Sequence, residues 1–304
     1  MCDMSSMTSK TQLASTTAGL FVEAAGDPQR PALVFLHGLG VSRWMWAEQL
    51  ASLASDYYCL AVDLPGSGDS HGSPWVSFED SAARVAELIA ARAEGGRAHV
   101  VGLSLGAYVA LSVLARHPEV VRSTVASGLS TRPFAHRWWW SMVSSLVSVL
   151  MRSRVLARAS AKAMGLPPDA VELYVRDATR LRPAEVRRIY SEVFAFDLGA
   201  LGELGGAEAR SRLLVVAGSR EAPKVLDGLA YVRARAPEAR TALAPELHHT
   251  WSAEDPELFT AMVRAWCGRG QLVAGLEPGG AAADSSGGPQ VAPAGGPGLR
   301  ARKG

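Results

Sequence analysis

At 304 residues, with 48% hydrophobic and 20% charged content, the chain can bury one large core or two modest ones and has the charge density of an ordinary soluble protein. Its 31 basic and 29 acidic residues leave a formal net charge of +2 and form no run of like charges long enough to suggest a nucleic-acid or membrane patch, so binding to nucleic acid is not expected. Cys2, Cys59 and Cys267 are odd in number and widely separated, so neither a disulfide framework nor a zinc site is expected, and a reducing, cytoplasmic setting fits best.

The opening stretch, MCDMSSMTSKTQLAS, is polar and lacks the apolar run of a signal peptide, so residues 1–18 read as a disordered leader. From residue 19 to 137 short apolar runs alternate with longer amphipathic ones. Leu33–Leu36, Tyr57–Val62, His99–Val101 and Val121–Ala126 read as strands, and Trp44–Ala54, Asp80–Ala93 and Leu105–Arg116 as helices. That alternation predicts an α/β fold, a mostly parallel sheet covered by helices on both faces. Between 138 and 205 the strand pattern disappears, and four helical segments punctuated by Pro167-Pro168 and Pro183 suggest an inserted helical cap. In the first of them Ser141, Ser144/Ser145 and Ser148 lie opposite an apolar face of Trp139, Met142/Val143, Leu146 and Leu150, which is expected to dock on the core rather than to contact lipid. Trp138-Trp139-Trp140 at its start fit either a pocket lining or a core anchor. The uncharged stretch from Trp138 to Met151 is too short to span a membrane, so no stable membrane insertion is expected.

The strand and helix alternation resumes at 206–268, with Leu213–Val216 and Thr241–Leu243 as strands and Lys224–Ala234 and Pro256–Trp266 as helices. Residues 269–304 are rich in Gly, Pro, Ala and Ser without an aromatic residue, and read as a disordered tail.

The chemistry concentrates at Gly102-Leu103-Ser104-Leu105-Gly106, a G-x-S-x-G run between a predicted strand and a predicted helix. In that setting the Ser hydroxyl projects from a strained turn above the sheet, and small residues at 102 and 106 let the turn close. A Ser hydroxyl needs a base to take its proton and a carboxylate to orient that base. Glu221 lies just past the strand-end Gly218, where catalytic groups gather in open α/β sheets, and His248 and His249 follow in the loop before the last helix. Asp197 and Asp255 are competing carboxylates. The Asp63–Ser70 turn is Gly-rich but lacks the phosphate-binding patterns, and reads as structural.

Several segments in series resemble the α/β-hydrolase superfamily, specifically its serine, esterase-like branch with a helical cap. His37-Gly38-Leu39-Gly40 resembles the HG-x-G oxyanion loop. Asp63-Leu64-Pro65-Gly66-Ser67-Gly68-Asp69-Ser70 resembles the D-x-P-G-x-G-x-S turn, and His249-Thr250-Trp251 the catalytic-His loop. The resemblance implies Ser104 as nucleophile, His249 as general base and Glu221 as orienting acid. It further implies an oxyanion hole from the backbone N–H groups of Leu39 and Leu105, with His37 and Gly38 supporting that loop. Ala107 and Glu221 depart from the family's more usual Gly and Asp. The implied activity is hydrolysis of a small carboxylic ester or lactone with an apolar part through an acyl-enzyme, without a cofactor or metal. Carbon–carbon bond hydrolysis, thioesterase, amidase and cofactor-free haloperoxidase chemistry, or a receptor-like protein with little turnover, remain alternatives on the same fold.

Overall fold

A computed structural model describes residues 12–15, 18–163, 166, 168–202 and 204–279. In chain order the strands are β1 (Gln12–Ser15), β2 (Phe21–Ala25), β3 (Ala32–Leu36), β4 (Tyr58–Asp63), β5 (Ala98–Leu103), β6 (Val121–Ser127), β7 (Leu213–Gly218), β8 (Arg240–Ala244) and β9 (Glu277–Pro278). The helices are α1 (Ala47–Leu53), α2 (Phe78–Arg92), α3 (Leu105–Arg116), α4 (Arg137–Leu150), α5 (Arg154–Ala163), α6 (Pro168–Arg180), α7 (Pro183–Ala195), α8 (Ala207–Ser211), α9 (Pro223–Arg235), α10 (Trp251–Glu254) and α11 (Pro256–Arg269).

All nine strands among the described residues form one sheet in the order β1-β2-β4-β3-β5-β6-β7-β8-β9. Pairing is parallel from β4 through β8 and antiparallel at both edges. The inner strands are apolar on both faces because each face is covered. Val34 and Leu36 of β3 and Val100 of β5 join the layer of α2 and α3, whereas Leu33, Phe35 and Val101 join that of Trp46, Phe259 and Trp266. From β3 the chain moves outward to β4, then returns to the other side of β3 as β5. The direction of winding therefore reverses between β3 and β5, where the loops after the two strands part and leave a crevice at their carboxyl ends.

The edges correct two expectations. Residues 12–15, inside the stretch read as a disordered leader, form β1 against β2, pairing an edge whose N–H and C=O groups would otherwise lack partners. At the other end, the boundary at 268 falls too early. Leu272, Val273 and Leu276 pack half-buried on the α11 layer, β9 pairs with β8, and Thr241 exchanges hydrogen bonds with Gly279 in both directions, at 2.7 and 2.9 Å. Three apolar residues in a six-residue stretch are enough to hold it down. The remainder of both terminal stretches lies outside the described residues.

Helices α4–α7 separate β6 from β7, and α4 packs opposite to expectation. Ser144 and Ser148 are buried, while Trp139, Met142, Leu146 and Leu150 are exposed. The small serines allow close approach to α7, and the Ser148 hydroxyl satisfies itself by donating to Ser145 O at 2.7 Å. Of the tryptophan run, Trp140 is the anchor, its ring 5.6 Å from Phe134 and 5.9 Å from Phe194. Trp138 and Trp139 face outward.

Candidate active site

Ser104 is the single residue between β5 and α3, and its backbone (φ 55°, ψ −115°) lies in a region that side-chain-bearing residues avoid. Its N–H donates to Ser127 O at the end of β6 and its C=O accepts from Ala107 N–H, both at 2.9 Å, so the strained geometry is fixed from both sides. The flanking glycines are steric requirements. A Cβ on Gly102 would lie 2.1 Å from Gly106 O, and one on Gly106 would lie 2.1 Å from Leu36 O. The turn thus presses α3 against β3 at a distance no side chain permits.

Glu221 and His249 come from the loops after β7 and β8. Gly218 brings these loops together, since a Cβ there would meet the carbonyls of Leu247 and His248 at 2.3 and 2.5 Å. His249 Nδ1 donates to Glu221 Oε2 at 2.7 Å, and Glu221 Oε1 accepts from Gly218 N–H at 3.1 Å. The carboxylate is buried and the imidazole is open to solvent on its other side. Ser104 and His249 converge on consecutive residues: Ser127 holds the Ser104 N–H, and a Cβ on Gly128 would lie 2.9 Å from His249 Nδ1 and Cε1. Ser104 Oγ makes no hydrogen bond to His249 in this structure, whose Nδ1 is held by Glu221. Buried Trp251 completes the frame, donating from Nε1 to Ser127 Oγ at 2.9 Å.

The other candidates have different partners. His248 turns outward, its Nδ1 2.9 Å from Glu254 Oε2. Asp197 accepts from Gly199 N–H and Tyr231 Oη–H, and Asp255 caps α11 by accepting from Leu258 N–H.

On the opposite side of Ser104, the loop after β3 is braced by His37. Its Nδ1 donates to Gly38 O at 2.7 Å and its Nε2 accepts from Leu64 N–H at 2.9 Å, which fixes the neutral Nδ1–H tautomer. Complete burial pushes its pKa below the usual imidazole range, in keeping with that neutral form. Gly38 faces the nucleophile, a Cβ there lying 3.5 Å from Ser104 Cβ. Neither Leu39 N–H nor Leu105 N–H donates to a protein acceptor among the described residues. Both backbone N–H groups are therefore free donors, Leu105 directly following Ser104 and Leu39 directly following Gly38. Behind this loop, Asp63 accepts from the Arg43 guanidinium, from Arg43 N–H at 2.8 Å and from Asp69 N–H at 2.8 Å, which stabilises the Gly-rich turn from within.

Ser127 and Gly128 were missed in the sequence because nothing in a strand-end Ser-Gly announces what it touches. No group of three or more His, Cys, Asp or Glu among the described residues is arranged to hold a metal. A concavity of about 380 Å³ lined by Arg97, Arg122 and Arg212 opens at the amino ends of β5–β7, the far end of the sheet from Ser104.

A reversal of winding between β3 and β5, with a strained Ser at the end of β5, is the architecture of one large family, and residues 33–271 match the family model described as "Alpha/beta hydrolase family". The chain belongs to the alpha/beta hydrolase family. It is accordingly a hydrolase. Among curated alpha/beta hydrolases it is similar to an AB hydrolase superfamily protein of Gibberella zeae, at 26% identity over 83% of this chain and 85% of that one. It is also similar to the pimeloyl-[acyl-carrier protein] methyl ester esterase of Sodalis glossinidius, at 28% identity over 67% of this chain and 91% of that one. Among solved structures, a hydrolase from Pseudomonas aeruginosa PA01 superposes with a TM-score of 0.68 at 20% identity, over 85% of this chain and 98% of that one, a likeness of fold.

Proposed function

We propose that this alpha/beta hydrolase cleaves a carboxylic ester or lactone with an apolar part through an acyl-enzyme on Ser104. The observation that carries the reading is the buried Glu221 carboxylate 2.7 Å from His249 Nδ1, beside a Ser held in a strained elbow. With Nδ1–H committed to Glu221, His249 Nε2 is the atom left to take the Ser104 Oγ proton as Oγ bonds to the substrate carbonyl carbon. The carbonyl oxygen gains negative charge and accepts from Leu39 N–H and Leu105 N–H. Collapse breaks the carbon–oxygen bond of the ester, and His249 returns the proton to the leaving alkoxide. Water then repeats the cycle on the acyl-enzyme and releases the acid. The Oγ–Nε2 hydrogen bond that this step needs is not formed in the free protein, and such contacts often close only with substrate bound.

The S. glossinidius relative, named as a methyl ester esterase, supports ester over amide or carbon–carbon cleavage. The test is hydrolysis of a panel of esters, lactones and thioesters by the wild type and Ser104→Ala, alongside fluorophosphonate labelling. The reading requires labelling and turnover by the wild type, and a loss of at least about a thousandfold in Ser104→Ala. A labelled wild-type protein that turns over no ester or lactone would overturn it in favour of a receptor-like role.

A further inference from the structure

Helix α4 is built inside out for a helix on a water-facing surface. Its buried side carries Ser144 and Ser148, and its outward arc carries Trp138, Trp139, Met142, Leu146, Val149 and Leu150. Val155 and Leu156 of α5 are exposed as well, these eight side chains being between 43% and 77% exposed. Eight large exposed apolar side chains between residues 138 and 156 mark an interaction surface rather than scattered surface hydrophobicity.

Charge identifies what covers it. Residues 120–168 contain no Asp or Glu, although basic residues recur throughout. Arg152 and Arg154 stand at the corner between α4 and α5, and Lys162 continues down one flank of α5 at helical spacing. All three are exposed and without an ion pair among the described residues, whereas Arg158 between them pairs with Glu172. An apolar arc with tryptophans at one end and unpaired cations along its margin is the pattern of a helix lying in the plane of a lipid interface. A second copy of the chain fits poorly, because the same face, with no Asp or Glu between residues 120 and 168, offers these cations no carboxylate partner. With 14 residues α4 is too short to cross a bilayer, and no helix among the described residues is long and apolar enough to do so.

We propose that the α4–α5 face docks on the surface of an anionic phospholipid bilayer. The docked face leads to the site: Met151, which ends α4, lies against Gly40, so that a Cβ on Gly40 would be 3.3 Å from its Cε. Met151 is itself partly buried against α5 and α6, and Gly40 follows Leu39 in the loop beside Ser104, so the helix that carries the exposed face ends at that loop. Docking does not depend on the chemistry proposed for Ser104.

The test is co-sedimentation of the full chain with vesicles of phosphatidylcholine alone or mixed with phosphatidylglycerol. Binding to the mixed vesicles at least about tenfold tighter than to phosphatidylcholine, and weakened by salt, is expected. The triple variant Arg152→Gln/Arg154→Gln/Lys162→Gln should lose roughly a hundredfold, the scale for three cations removed from an anionic surface. Leu146→Ser/Val149→Ser, altering exposed side chains only, should lose at least about tenfold. Both should hydrolyse a water-soluble ester as the wild type does, and Ser104→Ala should bind vesicles normally. The proposal is overturned if the wild type fails to bind mixed vesicles, or if both face variants bind as tightly as it does. It is equally overturned if sedimentation velocity shows a wild-type dimer that Leu146→Ser/Val149→Ser converts to a monomer while vesicles go unbound.

Discussion

Glu221 spends its two carboxylate oxygens on two donors of different kind, Oε2 on His249 Nδ1 at 2.7 Å and Oε1 on Gly218 N–H at 3.1 Å. The backbone bond aims the side chain, and the remaining oxygen sets the imidazole tautomer. Glu221→Gln keeps the shape but offers an amide N–H to His249 if its carbonyl stays on Gly218. The imidazole then has to accept at Nδ1 and carry its proton on Nε2, the wrong tautomer for a base. We expect turnover to fall about a thousandfold or more with a small change in melting temperature. Unchanged ester turnover would remove Glu221 from the mechanism.

The neighbouring histidines should separate cleanly, since His249 meets the buried Glu221 and His248 meets the partly exposed Glu254. With one activated ester, His249→Ala is expected to be nearly inactive and His248→Ala to retain most of its rate, an exposed pair being worth at most about 1 kcal/mol. The reverse ranking would transfer the base to His248.

Two truncations should isolate the contribution of residues 271–279. Removing residues 281–304, a Gly/Pro-rich stretch without an aromatic residue, should leave melting temperature and turnover unchanged. Removing 271–304 also strips Leu272, Val273, Leu276 and β9 from the core. At about 1 kcal/mol for each half-buried apolar side chain, thermal melting should show a drop of several degrees. Equal melting temperatures for the two truncations would mean that the 271–279 segment contributes nothing.

Stability should also fall in mild acid through His99, whose burial, assisted by the positive Arg122, depresses its pKa to about 4. An unfolded His takes up its proton near 6.5. Between these values the unfolded state binds more protons, so the stabilisation present above about pH 6.5 is lost as pH falls towards 4, on the order of 3 kcal/mol in all. Buried His37 acts with the same sign. His99→Gln, which keeps a hydrogen-bonding group near Ser123, should flatten the melting temperature against pH between about 4 and 6.5. A slope identical to the wild type's would refute this origin.

The order of strands and helices was legible because each strand of a covered parallel sheet is apolar on both faces, as Leu33–Leu36 is, and each helix carries its own start and stop signals. Ser104 was legible for a similar reason. The close approaches of Gly102 and Gly106 tolerate no side chain, so the steric demand is written locally as a five-residue pattern. Edge strands were harder to read: β1 is the four-residue QLAS, and β9 is two residues long.

What the sequence determined by itself, then, was everything enforced within a few residues: the alternation of elements, the strained elbow and the candidate side chains at strand ends. Only the tertiary structure decided which of those side chains meet. Glu221 and His249 are 28 positions apart, and their contact depends on Gly218 letting two loops touch. It also decided which face of α4 turns inward. Amphipathic spacing gives a helix two faces but does not say which one a neighbour will cover, and here α7 took the serine side and left Trp138 and Trp139 in the open.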